Sequence, residues 1–293
     1  MKTRSRRYAK LSSIKAITNT TNKFSELIRV ISWIVSLLQT NLLHRSGLIY
    51  INAGGGILDR RGWDEQFSFF SGHFKVIRYD VRGIGKSSRP TGPFSHSDDL
   101  HELLKSLEIK RAHVVALSVG GAIAIDFALE HSDFVDHLIL AASGLSDDSK
   151  GDANMRGLSM LTDLARKQGL ERVIQMTLDA PFVITKENTA ARDKIKSIYL
   201  DNGDVFQNGF PLYSLWQPAQ PPASTRLAEI HAPTLIIRGD KDNPVYLALT
   251  DKISRGIKDV RTVIIPGGTH FINLDKPEEF NRAALQFLGV TSR

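Results

Sequence analysis

Three residues of different chemical type stand, in chain order, where a proton relay could be assembled: a serine, an aspartate and a histidine. Ser118 lies in Ala116-Leu117-Ser118-Val119-Gly120-Gly121, between the apolar run AHVVAL and the helical pattern AIAIDFALEH. A small-x-Ser-x-Gly sequence between strand and helix is the signature of a strained turn that lifts a serine hydroxyl above a sheet. Ala116 takes the place usually held by the first glycine, adding one methyl where the turn is tight. A Ser-Gly turn at a strand end is also common, so the motif alone leaves a catalytic serine and a plain turn both open. Its partners decide between them. Arg238-Gly239-Asp240-Lys241-Asp242 follows the run PTLII, and His270 follows RTVIIPGG. Asp242 and His270 are 28 residues apart, with one helix and one strand between them, so both return to the sheet edge that carries Ser118. There Asp242 can hold the imidazole in one tautomer while His270 takes the Ser118 proton. Either aspartate alone could cap a helix, and a lone histidine after a glycine turn is more often structural. Three such residues in this order favour the relay. Asp242 is preferred as the acid because it lies farther beyond the strand end and precedes Pro244, whereas Asp240 is expected to face a turn or solvent.

Acyl transfer by such a relay needs two backbone donors for the negative charge that develops on the former carbonyl oxygen. The N–H of Val119, next to the serine at a helix N-terminus, is one candidate. Gly54, in the glycine-rich turn after LIYIN, is the other. That turn and Gly83-Ile84-Gly85-Lys86-Ser87 could also be read as phosphate loops. The Walker pattern, however, needs glycine five residues before Gly85, where Asp80 stands, and no G-x-G-x-x-G fits either stretch. Asp80 is expected to order its own loop through backbone N–H groups.

The elements that must position these residues alternate along the chain. Runs at 48–53, 74–80, 112–118, 137–143, 233–240 and 261–268 are short, rich in β-branched residues and closed by Gly, Ser or Asp. Helical patterns at 98–107, 119–131, 244–255 and 277–288 separate them. Apolar runs with little alternation, separated by helices, predict a mostly parallel sheet buried on both faces. In such sheets functional residues sit at the carboxyl ends of the strands. Residues 146–225 break the alternation with helical segments at 153–167, 169–178 and 187–200, which predicts a helical cap inserted into a core formed by 47–145 and 226–293. Phe210, Tyr213, Leu215 and Trp216, near the end of this insertion, are candidates for a substrate pocket, although aromatics there are more often the insertion's own core.

The net charge of +7 is a property of one end. Residues 1–23 carry seven basic side chains and no acidic one, leaving 31 basic and 31 acidic groups in the other 270 residues. The body therefore has no basic surplus with which to bind nucleic acid. The absence of cysteine excludes disulfides, thiolate metal sites and cysteine nucleophiles, but does not fix a compartment. Residues 24–43 show helical periodicity with an apolar face of Phe24, Leu27, Ile28, Ile31, Ile34, Val35 and Leu38. Such a helix could pack on the domain or on a partner, or lie weakly on a membrane surface with its basic flank. A signal anchor is disfavoured by Arg29, which interrupts a stretch short of the roughly 20 apolar residues of a span, and no cleavage site for a signal peptide follows. The expected location is cytoplasmic. The oligomeric state is not readable.

YDVRGIGKSSRPTGPFS, AHVVALSVGGAIAIDFALEH, APTLIIRGDKDNP and IPGGTHFINLDKPEEFNRAALQFL together resemble the α/β-hydrolase superfamily. Within it, INAGGGILDRRGWDEQF and RPTGPFS look most similar to 3-oxoadipate enol-lactonase-like carboxylic ester hydrolases, which often carry an asparagine at the place of Asn52. The resemblance implies an α/β-hydrolase fold and matches Ser118, Asp242 and His270 to the triad and Gly54 and Val119 to the oxyanion donors. It implies hydrolysis of a small-molecule ester or lactone with no cofactor and no metal. A perhydrolase or a C–C bond hydrolase would use the same triad, and a hydrolase-fold receptor with little turnover is a further alternative. Relatives begin with a β-hairpin, where this chain has the 24–43 pattern.

Overall fold

The computed structural model describes residues 47–52, 57–149, 151–208 and 211–290. The basic segment 1–23, the amphipathic pattern at 24–43, Gly54 and Phe210 lie outside them.

Six strands form one parallel sheet among the described residues: β1 (Gly47–Asn52), β2 (Lys75–Asp80), β3 (Ala112–Leu117), β4 (Val135–Ala141), β5 (Thr234–Gly239) and β6 (Val260–Ile265). Their order across the sheet is β2-β1-β3-β4-β5-β6, and each starts within two residues of its predicted run. β3 is buried at every position, which is why AHVVAL shows no alternation. β6 closes the sheet at one edge, and there Ile264 is half exposed.

The connecting helices are α1 (Asp64–Phe70), α2 (His96–Ser106) and α3 (Val119–Glu130). In α3 every residue from Val119 to Ala128 is buried, as expected of a helix that is apolar all round. Between β4 and β5 come α4 (Asp152–Gln168), α5 (Leu170–Asp179) and α6 (Thr189–Asp201), with no strand among the described residues there. After β5 the chain forms α7 (Pro244–Gly256), α8 (Ile272–Asp275) and α9 (Pro277–Phe287). No helix of the described residues is long and apolar enough to cross a membrane. α1 was not anticipated. It has seven residues, fewer than the 11–18-residue window in which helical periodicity can be seen. A tertiary contact holds its start, where the Trp63 ring lies 5.9 Å from Phe280 of α9.

Two buried polar side chains join the helical insertion to the sheet-bearing part. Asn202, just past α6, donates to the Ile57 carbonyl at 3.0 Å and to Asp59 at 3.1 Å, and accepts the Gly85 N–H at 3.1 Å. Asp126, the one charged residue in the buried span of α3, accepts the Ser146 hydroxyl at 2.6 Å and the Ala219 N–H at 3.1 Å. Ser146 is where the chain leaves for the insertion and Ala219 is where it comes back, so one carboxyl group clamps both crossings. Burial pushes the pKa of Asp126 up to about 7 from 3.8, against the pull of its two hydrogen bonds.

Because the folded protein then keeps this proton to higher pH than the unfolded chain, Asp126 should make stability fall as pH rises from about 4 to about 7 and stay level above that. Asp126→Asn retains an acceptor and cannot ionise. Thermal melts of both proteins across that range should show wild type losing stability relative to Asp126→Asn as pH rises; a constant difference would mean that the carboxyl does not titrate there.

Candidate active site

The nucleophile turn is built by backbone bonds around a strained residue. Ser118 has φ +56° and ψ −119°, a conformation that costs a non-glycine residue about 1–3 kcal/mol and persists only where its surroundings over-determine it. Here the Ser118 N–H donates to the Ala141 carbonyl at 2.9 Å, and the Ser118 carbonyl accepts from Gly121 at 2.9 Å and Gly144 at 3.1 Å. The turn is thus pinned to the end of β4 and the loop beyond it. A Cβ on Gly121 would lie 2.1 Å from Ser143 Oγ, so only glycine lets α3 begin this close to that loop. Ala116, near the end of β3, is fully buried.

β5 and β6 bring the other two groups. His270 Nδ1 lies 2.9 Å from Asp242 Oδ1, and His270 Nε2 lies 2.9 Å from Ser118 Oγ. All three residues are buried. A carboxylate facing Nδ1 places the ring proton there, which leaves Nε2 to accept the serine hydroxyl. Asp242 Oδ1 also accepts the Asn243 N–H at 2.6 Å. The helix cap falls to Asn243, whose side chain accepts from Val245 at 2.9 Å, with Pro244 in the first turn. Asp240 is exposed and accepts the Gly267 N–H at 2.6 Å, tying the two loops together. The close approach of those loops depends on Gly239, where a Cβ would sit 1.9 Å from the Gly268 carbonyl oxygen.

The insertion holds the histidine loop from the other side. The His270 N–H donates to the Phe182 carbonyl at 2.8 Å and the Phe271 N–H to the Val183 carbonyl at 3.2 Å. Buried Asp275 accepts the Thr269 hydroxyl at 2.8 Å, the Thr269 N–H at 3.1 Å and the Thr185 hydroxyl at 2.6 Å, fixing the residue before His270 to the insertion.

The predicted surroundings are placed unevenly. Val119 is the first residue of α3, where helix N–H groups lack intrahelical acceptors. Asp80 accepts backbone N–H groups from Arg60 at 2.7 Å and Lys86 at 3.0 Å, ordering its loop. Trp216 is buried with its ring 5.3 Å from His96, and the flanking Leu215 carbonyl accepts the Phe94 N–H at 3.1 Å. These contacts make Trp216 and Leu215 part of the junction between insertion and core. Tyr213 is buried, and its pKa is raised by that burial and then by the phenols of Tyr246 and Tyr199.

Tyr246 is the neighbour that the sequence reading missed. Its hydroxyl is 3.4 Å from Ser118 Oγ, and its ring lies 4.2 Å from the His270 ring between centroids. The oxygen–oxygen distance is long for a hydrogen bond between hydroxyls, so the phenol is poised beside the nucleophile rather than bonded firmly to it. Burial raises its pKa, and the Asp242 carboxylate adds to that rise, so it remains a proton donor. Its place in the first turn of α7, four residues beyond Asp242, was the available signal.

The model of the alpha/beta hydrolase family matches residues 43–283. The 2-hydroxy-6-oxo-6-phenylhexa-2,4-dienoate hydrolase of Comamonas testosteroni is 30% identical over 249 residues, covering 80% of this chain and 85% of that protein. A protein of Agrobacterium fabrum, named as a candidate carbamate hydrolase, is 25% identical over 237 residues, 77% of this chain and 87% of its own. The enol-lactonase of Burkholderia xenovorans LB400 has the same fold, with a TM-score of 0.70 at 22% identity over 85% of this chain and 94% of that one. The chain belongs to the alpha/beta hydrolase family and, like these relatives, is a hydrolase.

Proposed function

We propose that the protein hydrolyses a carboxylic ester or lactone of a small molecule through an acyl-enzyme on Ser118. The observation that carries this reading is the unbroken chain from Asp242 through His270 to Ser118, with both contacts at 2.9 Å and the whole buried from water. His270 Nε2 takes the hydroxyl proton as Ser118 Oγ bonds to the carbonyl carbon. The N–H groups of Val119 and Gly54 hold the oxyanion. His270 then returns its proton to the departing alkoxide, takes one from water, and the hydroxide so formed releases the acid and restores the serine. In this reading the helices between β4 and β5 roof the site, and Tyr246 directs its phenol toward the departing oxygen.

A second reading has the same triad cleaving a C–C bond beside a ketone, with a proton delivered to carbon instead of oxygen. The 30% identity to a hydrolase named for a 2-hydroxy-6-oxo-dienoate favours keeping it. Steady-state assays of the purified protein with p-nitrophenyl butyrate and with that dienoate decide between them. Higher kcat/KM on the ester supports the first reading, and the reverse order supports the second. No turnover and no burst of p-nitrophenol would oppose both.

Asp275 acts in this scheme as a positioning residue. Asp275→Ala should lower kcat by up to about 10²-fold, the scale of a misplacement near 1 Å, with KM little changed and partial rescue in Asp275→Asn. Equal losses in a substrate-free stability measurement and no kcat effect would make its role structural only.

A further inference from the structure

At the end of the sheet away from the triad, three ligating groups converge where the hydrolytic scheme uses none of them. His113 and His137 lie near the amino ends of the adjacent strands β3 and β4, whereas Ser118, Asp242 and His270 follow carboxyl ends. The pairing of these strands slips at this point: Ala112 faces Val135 and His113 faces His137, so Asp136 has no partner. A bulge of this kind re-aims a side chain. Here it brings consecutive residues, which would otherwise point to opposite faces, to the same place.

The result is a compact triangle of ligand atoms. His113 Nδ1 is 3.2 Å from His137 Nδ1 and 3.3 Å from Asp136 Oδ2, and His137 Nδ1 is 3.6 Å from that same oxygen. A tetrahedral zinc site with bonds of about 2.0–2.1 Å has ligand–ligand edges of about 3.3 Å. The three distances therefore match one face of such a tetrahedron. We infer that His113, Asp136 and His137 bind one divalent transition-metal ion of the zinc type, with the fourth position open to solvent.

The surroundings fit that role. The His113 side chain is nearly buried, while those of Asp136 and His137 are 28% and 30% exposed, which leaves an entry path. Phe74 and Phe287 stand edge-on to the two imidazoles at 5.7 and 5.4 Å between centroids and hold the rings in place. Arg111 lies 3.5 Å from the other carboxylate oxygen, Oδ1, orienting the carboxylate so that Oδ2 faces the histidines; its positive charge moderates the affinity.

The test is a calorimetric titration of the full chain, stripped with a chelator, with Zn2+, and a parallel titration with Co2+ read by its tetrahedral absorption bands. One equivalent should bind wild type and raise its melting temperature by mass action. His137→Ala and Asp136→Asn should each weaken binding by at least the roughly 10–100-fold that follows loss of even an outer-shell partner. Both should abolish the melting shift, and Asp136→Asn, nearly isosteric, serves if His137→Ala does not fold. His131→Ala should change nothing, although His131 lies in the other metal-compatible group of the described residues, with Asp98 and Glu130. Absence of stoichiometric binding to wild type, unchanged binding in both site variants, or loss of binding in His131→Ala would each overturn the assignment.

Discussion

Ser118→Ala should lower kcat for ester hydrolysis by about 10⁵–10⁶-fold while leaving the melting temperature within a few degrees of wild type. The magnitude follows from how a nucleophile and its base act as a unit: removing one costs nearly as much as removing all, and only the oxyanion donors and substrate binding still accelerate the reaction. The melting temperature should hold because the hydroxyl is not what keeps the turn folded. Its conformation is imposed by backbone bonds to Ala141, Gly121 and Gly144, all of which alanine retains. Alanine at a positive φ carries a cost similar to that of serine. Rates measured alongside melts separate the two effects. A variant that keeps more than about a tenth of wild-type kcat, at a scale set by the 10⁵-fold expectation, would remove Ser118 from the chemistry.

The second large effect distinguishes two aspartates that stand two residues apart. Asp242→Asn should cost about 10⁴-fold in kcat, because an amide that donates toward Nδ1 drives the imidazole into the tautomer that cannot accept the serine proton. Asp240→Asn should stay within a few-fold, since that carboxylate is exposed and accepts the Gly267 N–H rather than facing the imidazole. What it would lose is part of the tie between the loops after β5 and β6. Comparable losses in both variants would indicate that the loop connection, not the tautomer, governs the rate.

The contrast between these aspartates also marks how far the sequence could be read. Preference for Asp242 rested on its distance beyond the strand and on Pro244. The structure adds the cause: Asn243 takes the capping task, and Asp242 turns inward to His270. The strands were legible because a buried parallel sheet writes itself as short, mostly apolar runs with little alternation, and β3 is buried at every position. Helix α7 was legible from length and periodicity, and α3, buried all round, from its length and its place after a strand. α1 was not, since seven residues carry too little pattern and its start is held by the Trp63–Phe280 contact across the chain.

The site's second ring was less legible for a related reason. Tyr246 reaches Ser118 through the path of α7, and its spacing of four residues from Asp242 is a faint local sign of it. Asp275 and Asp126 read as ordinary helix acids, yet each is buried and spans two segments far apart in sequence. Leu215 and Trp216 meet Phe94 and His96 where the insertion joins the core, contacts that become visible only in the fold. Likewise, Asp136 is conspicuous only once the strands are paired. A bulge is a property of two strands together, and neither sequence alone displays it.

The central claim is that Ser118 is a nucleophile activated by His270. Incubating the protein with a fluorophosphonate and locating the adduct by intact mass and peptide mapping tests it directly. The account predicts a single adduct, on Ser118, that fails to form in Ser118→Ala and forms far more slowly in His270→Ala. An adduct on another residue, or no adduct on the folded wild-type protein, would contradict it.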